Sequence, residues 1–271
     1  MNREPGTPRR VALVTGASAG IGAAFCEVLA ARGFDLIVTA RRADRLEALA
    51  ATLRERHRRA VHVLPADLGE ADAVARLCGE MASRGLIVDV LVNNAGFGVP
   101  GSYAKTDWEE QAHLLQVLVV AVAELTHRLL PAMIARRYGR IINVASLAGL
   151  LPAPGGHTLY AASKALVIRF SEALAHEVES HGIHVTALCP GFTYTEFHDV
   201  ANTRRSVSKL PRFMWTDAMS VAVAGVDAVM VGRVICVPGR VSAWLAAAGR
   251  YLPYSLVYAV QKRFAWSYRK Q

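Results

Sequence analysis

Apolar residues along this chain fall into two alternating kinds of segment. Unbroken runs rich in Val, Ile and Leu occur at 11–15 (VALVT), 35–40 (DLIVTA), 60–66 (AVHVLPA), 88–94 (VDVLVNN), 140–146 (RIINVAS), 183–189 (IHVTALC) and 233–238 (RVICVP). Runs apolar through their centres predict strands covered on both faces, because a strand with one wet face alternates polar and apolar residues. Between them, apolar positions recur every three or four residues, as in ADRLEALAATLRERH (43–57) and ADAVARLCGEMASR (71–84). That spacing predicts helices. Strand, helix, strand in repetition predicts one α/β domain: a doubly wound parallel sheet of about seven strands with helices on both faces. No linker, repeat or low-complexity segment divides the chain. The alternation lapses only in an irregular stretch, 192–215, and in a tail after Gly239.

The most apolar segment, LLQVLVVAVAELTHRLLPAM (114–133), raises the question of a membrane span. Glu124, His127 and Arg128 interrupt it before it reaches the roughly 18–20 residues a bilayer core requires. It reads as a buried core helix ending near RRYGR.

A chain of 271 residues, 53% of them hydrophobic, can bury a large core. The formal net charge of +9 admits anionic partners of several kinds: nucleic acid, acidic lipid, an acidic carrier protein or a phosphorylated cofactor. Cys26, Cys78, Cys189 and Cys236 lie inside apolar runs with no CxxC pair, and read as small buried hydrophobes of a reduced, cytoplasmic protein. The nine histidines show no metal-ligand spacing, so no metal is expected. Residues 1–8 read as a loose tail with no apolar signal region. The basic run RERHRR (54–59) lies at the C-terminal end of a predicted helix, where cations are favourable in any case. No nucleic-acid motif accompanies it, so nucleic acid is not an expected partner.

Chemistry first shows itself after strand one. VALVTGASAGIGAAF places Gly16, Gly20 and Gly22 between that strand and a helix. Glycines there let the backbone approach a pyrophosphate, whose charge is stabilised by the helix N-terminus. The predicted fold is therefore a Rossmann-type dinucleotide-binding domain. Nineteen residues after Gly22, where an acidic side chain would accept the ribose hydroxyls of NAD, stand Arg41 and Arg42. Guanidinium groups suit a 2′-phosphate, so NADP(H) is the expected cofactor. Farther on, Tyr160 and Lys164 are four residues apart and project from one helix face. An ammonium beside a phenol lowers the phenol pKa toward the range useful for acid–base work.

Taken in order, TGASAGIG (15–22), Asp67 in PADL, NNAG (93–96), Ser146 in NVAS, Tyr160 and Lys164 in YAASK, and Pro190-Gly191 resemble the motif series of the short-chain dehydrogenase/reductase family. The resemblance runs from about Arg10 to Arg240. It implies that Tyr160 donates or accepts the proton at a carbonyl or alcohol, Lys164 also holds the nicotinamide ribose, and Ser146 hydrogen-bonds the substrate oxygen. It further implies a cofactor site of Gly16, Ser18, Gly20, Ile21, Gly22, Arg41, Arg42, Asp67, Leu68, Asn94, Ala95, Gly96, Tyr160, Lys164, Pro190, Gly191, Thr193 and Thr195. Homo-oligomers are expected by the same resemblance. The function so implied is an NADP(H)-dependent oxidoreductase interconverting a ketone and a secondary alcohol.

One family position departs. An asparagine that helps anchor a proton-relay water is usual two turns ahead of the ELT…LLP run, and counting back places Leu118 there. Leucine neither donates nor accepts a hydrogen bond. Two expectations stay open: a slower or rerouted relay, or a chain that binds NADP with weak or no turnover and acts as a binding or membrane-peripheral partner.

The 192–215 stretch corresponds to the family's substrate lid. Phe192, Phe197, Leu210, Phe213, Met214 and Trp215 point to an apolar substrate body. Arg204, Arg205, Lys209 and Arg212 either attract an anionic handle, as on a 3-oxoacyl thioester, or are simply solvated. The tail 241–271 carries aromatic and basic residues, with Pro253 expected to break it into two short helices. It reads either as a cover or subunit contact or as a peripheral membrane contact.

Overall fold

The computed structural model describes residues 9–153, 155–195 and 211–265. The expected tail 1–8 and much of the expected lid, including Phe197, Arg204, Arg205, Lys209 and Leu210, lie outside the described residues.

Seven parallel strands form the main sheet: β1 (Val11–Thr15), β2 (Asp35–Thr39), β3 (Val61–Val63), β4 (Val88–Asn93), β5 (Gly139–Val144), β6 (Ile183–Leu188) and the last strand, Ile235–Cys236. Their spatial order is β3-β2-β1-β4-β5-β6 followed by that last strand. The order reverses between β1 and β4, and ligands of such sheets bind in the crevice beyond the carboxyl ends of the strands at this point. The predicted sheet is thus observed. Segments 60–66 and 233–238 yield only three and two strand residues. Both are edge strands, and Pro65 and Pro238 lack the N–H needed to extend the ladder.

Nine α-helices follow in chain order: α1 (Gly20–Ala31), α2 (Ala43–His57), α3 (Ala73–Ser83), α4 (Trp108–Leu115), α5 (Ala121–Ala135), α6 (Thr158–Val178), α7 (Ala218–Met230), α8 (Arg240–Tyr251) and α9 (Tyr254–Ala265), among the described residues. Successive strand residues point to opposite faces of the sheet. Val14 and Val38 accordingly pack with Phe25, Leu29, Leu46 and Val226 of α1, α2 and α7. On the other face Leu13 and Ile37 pack with Leu77, Leu125 and Leu174 of α3, α5 and α6. Pro253 separates α8 from α9, as expected.

Trp108–Ala135 is long and apolar enough to cross a membrane, yet it lies on the sheet with Leu114, Val117, Leu118, Ala121 and Leu125 buried. The core-helix reading therefore holds. It is not a regular α-helix throughout: Gln116–Val120, between α4 and α5, form one π turn. No glycine or proline marks that turn in the sequence. Cys26, Cys189 and Cys236 are buried as expected, while Cys78 is half-buried on the rim of α3. In the basic run, Arg56 and His57 both reach Glu27 at 2.9 Å, and Arg59 donates to the carbonyls of His57 and Gly33. These cations serve local structure.

The ends of the irregular stretch are tied together. β7 (Phe192–Tyr194) pairs in parallel with β8 (Trp215–Asp217), and the Tyr194 ring stacks on Trp215 with centroids 4.4 Å apart.

Candidate active site

The glycine-rich turn has the backbone the sequence implies. Gly16 and Gly20 adopt φ of +65° and +56°, a region favouring glycine. A Cβ on Gly22 would stand 2.1 Å from the Gly16 carbonyl oxygen. Ala19 precedes α1 without a side-chain cap, and the first turn carries no acidic residue. The first N–H groups of α1 thus remain available to an anion such as a pyrophosphate. Ser18 and Ile21 lie on the same turn. Arg42 donates to Ser18 Oγ at 3.1 Å across the mouth of the turn, and Arg41 is exposed beside it.

Thr15 straps the turn to the end of β4. Its Oγ1 accepts from the backbone N–H groups of Asn94 (2.9 Å) and Ala95 (3.0 Å), while Asn94 Nδ2 donates to the Thr15 carbonyl at 2.9 Å. Asn94, Ala95 and Gly96 therefore stand beside the glycine-rich turn. Asp67 and Leu68 follow β3 at the same end of the sheet; Asp67 Oδ1 accepts the Gly69 N–H at 3.0 Å, and Leu68 is buried. Thr15 was not singled out from sequence, although its place in TGASAGIG was a usable signal.

On the other side, Leu147 donates its backbone N–H to the Pro190 carbonyl at 2.9 Å, joining the loops after β5 and β6. Thr193 is buried and donates to the Gly191 carbonyl at 3.2 Å. Thr195 reaches back to the first turn, where a Cβ on Gly20 would lie 3.0 Å from Thr195 Cβ. The glycine-rich turn and the loop after β6 thus approach each other at Gly20 and Thr195.

Ser146 follows β5 in extended conformation, and its Oγ accepts the Ala148 N–H at 3.1 Å. The same side chain hydrogen-bonds Tyr160 on the first turn of α6. Lys164, one turn later, is buried, donates to the Val144 carbonyl at 2.7 Å, and lies 5.7 Å from the centre of the Tyr160 ring. Gly149 permits this approach: a Cβ there would stand 2.7 Å from the backbone carbon of Lys164. Ser146, Tyr160 and Lys164 are therefore brought together as the sequence implied.

Their electrostatics differ from that expectation. Burial raises the Tyr160 pKa, and the Ser146 hydrogen bond pulls it only partly back. Burial lowers Lys164 to about 8, with the neighbouring Cys189 opposing the shift. The expected lowering of Tyr160 is overridden by burial, the largest influence on the phenol, while the Lys164 ammonium donates to the Val144 carbonyl.

Leu118 sits on the π turn, 1% exposed, against this group. A Cβ on Gly96 would stand 2.7 Å from Leu118 Cδ2 and 3.9 Å from Lys164 Nζ, so leucine and lysine meet at Gly96. His157 was not picked out from sequence. Its ring stands edge-on to Tyr160 with centroids 6.1 Å apart, and burial lowers its pKa. Its position one turn before Tyr160 was the only sequence signal. Beneath the site, Asn93 Nδ2 donates to Asn143 Oδ1 (2.9 Å) and Asn143 Nδ2 to Ser171 Oγ (2.9 Å), locking β4, β5 and α6 in register.

Residues 10–206 match the short chain dehydrogenase family. The chain belongs to this family of oxidoreductases, which use a nicotinamide cofactor on small-molecule substrates. It is 42% identical over 200 residues to nodulation protein G of Rhizobium sp. (strain N33), covering 72% of this chain and 78% of that protein. It is 32% identical over 218 residues to the 3-oxoacyl-[acyl-carrier-protein] reductase FabG of Haemophilus influenzae, covering 79% and 88%. Among solved structures, it resembles a short-chain dehydrogenase from Sphingobium yanoikuyae in complex with NADPH, with TM-score 0.80 and 31% identity over 89% of this chain and 93% of that one.

Proposed function

We propose that the chain is an NADP(H)-dependent reductase that interconverts a ketone and a secondary alcohol on an apolar substrate, with a 3-oxoacyl thioester as the preferred class. The observation that carries this reading is the convergence of Ser146, Tyr160 and Lys164 at the carboxyl end of β5, the end of the sheet that also carries the glycine-rich turn. The residues fit the cofactor: the uncapped start of α1 and the Gly16–Gly20 backbone suit a pyrophosphate, and Arg41, Arg42 and Ser18 suit a 2′-phosphate. When bound, the nicotinamide supplies or takes up the hydride at the substrate carbon.

In reduction, Ser146 donates a hydrogen bond to the substrate oxygen and Tyr160 delivers the proton to it. The charged Lys164 stabilises the phenolate left behind. Phe192 and Trp215, centroids 5.8 Å apart, supply an apolar wall for the substrate body. The FabG relative supports an oxoacyl thioester by its name. A screen of apolar ketones and oxoacyl thioesters with NADPH and NADH, following cofactor absorbance, tests the reading; turnover confined to NADH would overturn the cofactor assignment.

A second reading has one observation in its favour. Leu118 occupies the ground beside Lys164 where a polar group would hold relay water, which supports an NADP-binding chain with weak turnover. Steady-state reduction of a ketone in the screen with kcat of about 1 s⁻¹ or more decides against it.

A further inference from the structure

We infer that α8 and α9 form a docking surface for an anionic phospholipid bilayer. The inner side of α8 is committed to the body of the protein. Ser242 is buried against Gly191, and Gly249 lies against Leu151, whose Cδ2 would be 2.4 Å from a Cβ placed there. The outer side carries Arg240, Trp244, Ala247, Arg250 and Tyr251, all exposed and spaced three or four residues apart apart from the final pair. On α9, Tyr254 and Tyr258, one turn apart, are exposed on one side with their rings stacked at 5.9 Å, while Leu256 and Val260 are exposed on the other side. Trp244 and Tyr251 are 70% and 79% exposed, as against the polar outer face usual for a surface helix. Exposed aromatic and aliphatic side chains on two adjacent helices mark an interaction surface.

Charge selects the occupant. After Asp227 the chain contains no acidic residue, while Arg233, Arg240, Arg250, Lys262, Arg263, Arg269 and Lys270 follow. A twofold contact with a second copy would set these cations against themselves. An acidic lipid surface supplies the opposite charge, and Trp and Tyr rings favour the headgroup layer. Apolar insertion plus basic attraction are the two signals that stable peripheral binding requires. Each helix has 12 residues, about 18 Å of length, which is too short to span a core of about 30 Å. The contact therefore lies in the plane of the membrane. It also adjoins the loops after β5 and β6, because the inner side of α8 touches Gly191 and Leu151; if the reductase reading holds, apolar substrate reaches the site from the bilayer.

The test is co-sedimentation of the full chain, with NADP present, on phosphatidylcholine vesicles with and without phosphatidylglycerol. Binding should be roughly tenfold stronger on the acidic vesicles and weaken with added salt. The variant Trp244→Ser/Tyr254→Ser/Tyr258→Ser should lose binding while keeping its thermal midpoint and sedimentation coefficient. Lack of binding to acidic vesicles overturns the inference. So does a fall in sedimentation coefficient of the variant, which would assign the face to contact between copies. The readout involves no turnover, so failure of the reductase reading leaves it intact.

Discussion

Lys164 directs its ammonium at the Val144 carbonyl, 2.7 Å away, from a position where burial brings its pKa down to about 8. Reduction needs that charge to stabilise the Tyr160 phenolate, and it needs the Tyr160 proton, whose own pKa is raised. The proton on Tyr160 thus outlasts the charge on Lys164 as pH rises. We expect kcat/KM for ketone reduction to fall as pH rises through about 8. Lys164→Arg, which stays charged, should remove that limb from the profile; a profile flat through this range would show that the lysine charge is not required.

The same burial sets a stability–pH relation. The folded pKa of about 8 lies below the ordinary 10.5, so between these values the unfolded chain binds more protons than the folded one. By linkage, stability contributed by this group rises with pH across that window, and the deficit is complete below it. Lys164→Met should therefore be inactive yet more stable at neutral pH, by on the order of 1–2 kcal/mol after allowing for the lost hydrogen bond. Urea unfolding as a function of pH checks this: the advantage should shrink as pH rises from about 8 toward 10.5.

Leu118 keeps the space beside Lys164 apolar. If a relay through this space limits turnover, Leu118→Asn should raise kcat several-fold with little change in KM, a small part of the about 10²–10⁴-fold that a positioned proton-transfer group contributes. An unchanged or lower kcat would make the position purely structural.

How legible was this in the sequence? The strands whose both faces are covered, such as VALVT and VDVLVNN, were readable because unbroken apolarity leaves few alternatives. The edge strands were overestimated: Pro65 and Pro238 stand in plain view in AVHVLPA and RVICVP, but nothing in either run says that it will have a single neighbour. Ser146, Tyr160, Lys164 and the three glycines were readable from spacing and order. What sequence could not show was the balance of terms at the site. The π turn at Gln116–Val120 has no residue that marks it, and the direction of the Tyr160 shift is set by burial in the folded chain.

Arg42 reaches Ser18 at the mouth of the glycine-rich turn. Loss of a charge-assisted hydrogen bond to a phosphate costs about 1.5–3 kcal/mol, or roughly 10- to 100-fold in affinity. Arg42→Ala should raise the KM for NADPH by about this factor and leave that for NADH nearly unchanged. Equal effects on the two cofactors would mean that Arg42 supports the turn rather than the 2′-phosphate.

The central claim is that Tyr160 handles the proton in a carbonyl reduction. Its most direct measurement is the rate of NADPH consumption by Tyr160→Phe beside the native chain, with an apolar ketone or oxoacyl thioester that the native chain reduces, and with NADPH affinity measured in parallel. Removing the phenol oxygen should lower kcat by about 10²–10⁴-fold while NADPH binding is retained. A variant that reduces the same substrate at the native rate would contradict the account.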